Sequence, residues 1–111
     1  MEDRDPPPDP EALSAMGETV IRRRLRFYGA VQGVGFRWHA RHAAAAVGAT
    51  GWVRNELDGS VTMELQGSEA QIDRVLQSVE SGRYIRIEAV DARTIPVEPE
   101  ERGFATRDDG W

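Results

Sequence analysis

Thr50-Gly51-Trp52-Val53-Arg54-Asn55-Glu56-Leu57, then Asp58-Gly59, then Ser60 through Gln66 reads as two strands joined by a tight turn. Asp-Gly is among the strongest short hairpin signals, because both turn positions tolerate a positive φ. On the return side Val61, Met63 and Leu65 alternate with Thr62, Glu64 and Gln66, the period-two pattern of a strand with one buried face.

Outward from this hairpin the other elements fall into place. Upstream, Val20 to Gly29 places Ile21, Leu25 and Phe27 on one side and Arg22, Arg24 and Arg26 on the other. That predicts a half-buried strand with a wet arginine face, although Arg23 breaks the alternation. Phe36 to Val47 then reads as a helix, favoured by Ala43 to Ala46 and capped by Gly48. Downstream, Ser68-Glu69-Ala70-Gln71 fits a capping box, and Ile72, Val75, Leu76 and Val79 form the apolar stripe of a second helix, ended by Gly82. Tyr84 to Thr94 resembles a strand with Ile85, Ile87 and Ala89 facing inward, and Phe104 to Arg107 a short last strand. The order strand, helix, strand, strand, helix, strand predicts an α+β, ferredoxin-like (split βαβ) sandwich. Its four- to five-stranded antiparallel sheet carries two helices on one face. Fold alone does not assign function.

Composition narrows the classes. At 111 residues the chain holds one core. Residues 1–19 contain four of the six prolines, six acids and a single base, so they account for the whole formal charge of −5. They read as a disordered acidic tail, and 20–111 as the working domain. That domain is nominally neutral, without the basic footprint of a nucleic-acid binder. The first-strand arginines and the fold raise an RNA-binding alternative, but Val61-Thr62-Met63-Glu64-Leu65 offers no aromatic on which bases stack. Cysteine is absent, which excludes disulfides and thiol chemistry. Neither a signal-peptide pattern at the start nor a membrane-length apolar run is seen, so a cytoplasmic protein is expected.

The chemistry concentrates in Val31-Gln32-Gly33-Val34-Gly35-Phe36-Arg37. Glycines let successive N–H groups turn into one concavity, and the helix that follows adds the positive end of its dipole. Arg37 contributes a permanent charge and a planar fork of donors matched to phosphate oxygens. The stretch reads as a phosphate-sized anion cradle. His39 and His42 are three apart on the helix, but no third histidine, cysteine or helix carboxylate accompanies them, so no metal site is expected. Trp38 and Trp52 read as packing residues.

Taken together, this loop, Gly51-Trp52-Val53-Arg54-Asn55 and the Asp58-Gly59 that follows resemble the acylphosphatases, and the similarity spans about Val20 to Arg107. The resemblance implies hydrolysis of a carboxyl-phosphate anhydride, with a small-molecule acyl phosphate as substrate. By it, Arg37 and the backbone of Gln32, Gly33, Val34, Gly35 and Phe36 bind the phosphoryl group, and Asn55 orients the attacking water. Arg37 and Asn55 are then the catalytic pair. An asparagine amide accepts from water while donating to an oxygen, yet cannot take a proton at neutral pH. In the family picture a phosphate oxygen of the substrate receives that proton. No cofactor or metal is expected, since the loop supplies no oxygen ligand for Mg²⁺, and a monomer is expected. The alternative is a non-catalytic anion-binding or regulatory module on the same fold. Asn55 separates the two, because a pure phosphate binder does not need a water-orienting amide there.

Overall fold

The central hairpin forms, but residues 56–60 connect its strands in place of a two-residue turn, with Gly59 at a φ of 94° and Asp58 outside the positive-φ region. In a computed structural model that describes residues 19–108, β1 (Ile21–Ala30) leads to α1 (Phe36–Val47), then β2 (Thr50–Asn55) and β3 (Val61–Gly67). These are followed by α2 (Glu69–Glu80), β4 (Arg86–Ile95) and β5 (Phe104–Thr106). The expected tail lies outside the described residues, except for Thr19. No described helix is long and apolar enough to cross a membrane.

The sheet order is β4-β1-β3-β2-β5. Gly51 pairs with Leu65 and Asn55 with Val61 across the hairpin, while Leu25 pairs with Met63 in the centre. Leu25 and Phe27 from β1, Val53 from β2, and Val61, Met63 and Leu65 from β3 form one apolar face. Phe36, Ala40 and Ala44 of α1 and Ile72, Val75 and Val79 of α2 close over it. Burying each large side chain of this set is worth roughly 1.5–3 kcal/mol, so the shared core is what holds both helices. The capping box is present: the Ser68 hydroxyl accepts from the Gln71 N–H, and the Gln71 side chain accepts from the Ser68 N–H.

Three expectations change. The sheet is mixed, because β5 runs parallel to β2. After β4, residues 96–103 cross to the opposite edge, and that crossing reverses the chain direction. The arginine face of β1 is not wet at Arg22, which is only 1 % exposed. Its guanidinium donates to Glu64 at 2.9 Å, to Gln66 at 3.1 Å and to Glu101 at 2.7 and 3.1 Å, and Glu101 comes from the crossing segment. Burial alone would depress the Arg22 pKa, but the hydrogen bonds and charges of Glu101 and Glu64 outweigh it and raise it. Ile85, just before β4, and Ile87 within it pack toward the core but Ala89 does not. Tyr28 pairs with Ala89 and Gly29 with Ile87, so Glu88 is an extra residue that shifts the alternation.

Candidate active site

The loop between β1 and α1 is pinned at both ends by apolar anchors. Val31 and Phe36 are buried, and the Phe36 ring packs on Phe27 with centroids 4.8 Å apart. Val34 packs against the same core. Gly33 and Gly35 alternate outward with φ of 73° and 89°, the left-handed region in which an L side chain is strained. A Cβ on Gly33 would meet nothing within 4 Å, so the space before the loop is open. Among the described residues, no carbonyl accepts from the backbone N–H groups of Gln32, Gly33, Val34, Gly35 or Phe36. Helix α1 begins at Gly35 without a side-chain cap and without an acid in its first turn. A run of unanswered N–H donors at an unneutralised helix N-terminus attracts an anion. Arg37 lies half-buried in that first turn.

Gln32 holds this loop to the hairpin. Its side-chain amide donates to the Glu56 carbonyl at 2.7 Å and to the Ser60 carbonyl at 2.9 Å. Its carboxamide is therefore occupied in structure, and only its N–H faces the same task as its neighbours'. The tether ends one residue from Asn55, the last residue of β2. Asn55 is 7 % exposed, and its carboxamide bonds to no other described residue. The sealed polar atom without a partner among the described residues is Thr50 Oγ1, so the Asn55 amide still reaches solvent. A nearly enclosed group that keeps a donor and an acceptor open is suited to a single water.

Acids near the hairpin tip are already engaged. Burial pushes the Glu56 carboxyl upward, but hydrogen bonds from Thr62 and Arg54 and the charges of Arg54 and Arg26 hold it below the usual carboxylate range. Asp58 is lowered by the Ser60 hydroxyl and N–H and by Arg26, 2.9 Å away. Both stay ionised and paired, which suits anchors of the turn better than proton acceptors. Among the described residues, no three His, Cys, Asp or Glu side chains come together to hold a metal ion.

Trp38 departs from its expected packing role: it is 55 % exposed. His42 stacks on it with centroids 4.0 Å apart, and His39 meets it edge-on at 5.1 Å. His39 is wedged between the loop and the α2–β4 turn. Its Cδ2 lies 3.7 Å from where a Cβ on Gly35 would sit and 3.2 Å from one on Gly82. The approach of that turn to the loop was invisible in the sequence, as was the Gln32 tether. Trp52 is buried as expected, under the guanidinium groups of Arg24, Arg54 and Arg107.

Comparison with known proteins bears on the family and the fold. The family model described as Acylphosphatase matches residues 23–106. The acylphosphatase of Salinibacter ruber is 40% identical over 93 residues, covering 81% of this chain and 98% of its own. That of a Roseiflexus species is 44% identical over 87 residues, covering 78% and 94%. The crystal structure of acylphosphatase from Bacillus subtilis superposes with a TM-score of 0.72 at 25% identity, over 78% of this chain and 98% of that one.

Proposed function

The chain belongs to the acylphosphatase family and hydrolyses acyl phosphates to a carboxylate and inorganic phosphate; on that premise we propose how its residues divide the work. Arg37 and the loop N–H groups from Gly33 onward hold the phosphoryl oxygens. Asn55 accepts a hydrogen bond from one water and aims its oxygen at phosphorus, opposite the acyl oxygen. As the new P–O bond forms, the bond to the acyl oxygen breaks and a carboxylate leaves. The water's proton passes to a phosphoryl oxygen of the substrate. The leaving group is a weak base and needs no acid, so positioning and stabilisation of charge on the phosphoryl oxygens carry the rate.

One observation carries this reading: Gln32 ties the unanswered amides of the loop to the hairpin that ends β2 at a nearly enclosed, solvent-reaching Asn55. A binding module needs the amides but not that asparagine. Release of phosphate from an aryl acyl phosphate in EDTA tests the reading. Turnover well above the buffer rate is expected, and turnover that appears only on adding a divalent cation contradicts the metal-free mechanism. We also propose that residues 20–111 carry the activity alone, as a monomer in the cytoplasm. Sedimentation would check the monomer.

A further inference from the structure

The loop that carries the proposed phosphate donors holds two glycines at positive φ, Gly33 and Gly35. Glycine is the most permissive backbone residue, whereas donors aimed at a reacting group are effective only when they are already fixed. The stillness of this loop therefore has to come from its surroundings. Its start is held by Gln32, whose amide donates to the Glu56 and Ser60 carbonyls. Its end is held differently, by the packing of a ring.

His39 donates its backbone N–H to the Gly35 carbonyl at 2.9 Å, closing the first turn of α1. Its half-buried side chain turns back toward the same glycine, so that Cδ2 would stand 3.7 Å from a Cβ on Gly35, an ordinary van der Waals contact. That same atom would stand 3.2 Å from a Cβ on Gly82 in the α2–β4 turn. Trp38 meets the imidazole edge-on, with centroids 5.1 Å apart. The ring nitrogens make no hydrogen bond among the described residues, so the ring acts through its shape.

The turn is built to receive that ring. Gly82 does not have a positive φ, so its backbone conformation does not call for glycine. Space does, because a Cβ there would collide with Ile85 and crowd His39. Gly82 is itself buried, donates its N–H to the Val79 carbonyl at 3.2 Å and accepts from the Ile85 N–H at 3.1 Å. Val79 and Ile85 both belong to the core. A ring seated on Gly82 thus rests on the core, and what it presses against on the other side is the last glycine of the loop.

We infer that His39 is a positioning residue: its ring braces Gly35 against the α2–β4 turn and so fixes the N–H groups at the end of the loop that receives the phosphoryl oxygens. The inference rests on the cradle reading proposed above.

The test measures turnover of benzoyl phosphate and its inhibition by inorganic phosphate, both in EDTA and per folded molecule. His39→Ala should lower kcat/KM by about tenfold or more, as a small misplacement of binding groups does. It should weaken inhibition by phosphate as well. His39→Phe, which restores a flat ring on the same stem, should recover most of that loss. Gly82→Ala attacks the brace from the other side, but it also disturbs Ile85, so its effect is read in two backgrounds. It should cost kcat/KM several-fold beside His39 and markedly less in the His39→Ala enzyme. A His39→Ala enzyme with the parent's kinetic constants, or one that loses only melting temperature, overturns the brace. So do Gly82→Ala losses that are equal in the two backgrounds. A folded His39→Phe enzyme as poor as His39→Ala also overturns it, since the role then belongs to the ring nitrogens. Arg37→Ala tells the two claims apart. If it keeps turnover and phosphate inhibition, the cradle reading fails; if it loses both while His39→Ala keeps them, only the brace fails.

Discussion

The open face of the sheet and its loop end both depend on arginine, the only cationic side chain in this lysine-free sequence apart from two histidines. They use it in opposite ways. On the open face Arg22 is enclosed by Glu64, Gln66 and Glu101, Arg24 shares Glu64 at 2.6 Å, and Arg54 takes Glu56 at 2.9 Å. Acids of the same chain answer these charges, and the result is a joint that fastens the crossing segment to the sheet. Of these arginines only Arg22 is enclosed, and an enclosed pair adds little net stability over an apolar one. At the loop end the donors are backbone amides on alternating glycines, at a helix start that carries no acid. Those N–H groups are what the fold leaves for a ligand. On the open face arginine fastens one segment to another; at the loop end backbone amides, with Arg37 beside them, form the proposed binding group.

The sharpest way to break this contrast is to remove one arginine from each region. Arg37→Ala should lower kcat/KM by roughly 10³-fold or more, a loss of turnover per folded molecule, since it strips charge stabilisation from the reacting phosphoryl group. Arg22→Ala should do the reverse. It leaves Glu64 and Glu101 facing each other under the crossing segment, which costs about 3–5 kcal/mol in a urea melt, with turnover per folded molecule largely kept. If the effects are exchanged, or both variants lose only stability, the two regions do not differ as described.

A smaller effect sharpens the fastening role of the hairpin tip. Asp58 and Glu56 have lowered pKa values in the folded protein. Their contribution is therefore complete above the ordinary carboxylate pKa of about 4 and is lost as pH falls through the lowered folded values. Asp58→Asn should be less stable than the parent at pH 6, and that difference should shrink as unfolding is measured at successively lower pH. A difference that is constant with pH would place the role of Asp58 in shape rather than charge. The smallest effect concerns residues 1–19: their deletion should leave kcat/KM unchanged. A large loss would mean that this segment takes part in the site.

How far the sequence could be read depended on the range of each interaction. The Asp58-Gly59 turn, the Ser68–Gln71 capping box and the helix from Phe36 to Val47 rest on neighbours within a turn or two, and each is where its pattern puts it. Trp38 was misread as packing, although the helix period already pointed it outward. Phe36, Ala40 and Ala44 take the core, and Trp38 lies roughly 200° around the helix from Phe36, on the outer side. Arg22 was not legible, because its partner Glu101 is 79 positions away. Gln32 looked like one more substrate contact, yet its amide reaches carbonyls 24 and 28 residues downstream. The displaced alternation in β4 comes from a single extra residue at Glu88, whose effect is set by the partner strand. The loop and Asn55 stood out as chemistry, whereas the tether that joins them appears only in three dimensions.

The central claim is that one set of groups holds phosphate and another places the water. Asn55→Ala separates them when inorganic phosphate affinity and turnover of benzoyl phosphate in EDTA are measured on the same preparation. Phosphate affinity should stay close to that of the parent while kcat falls by about 10²–10³-fold. An Asn55→Ala enzyme that turns over at the parent rate would contradict the account.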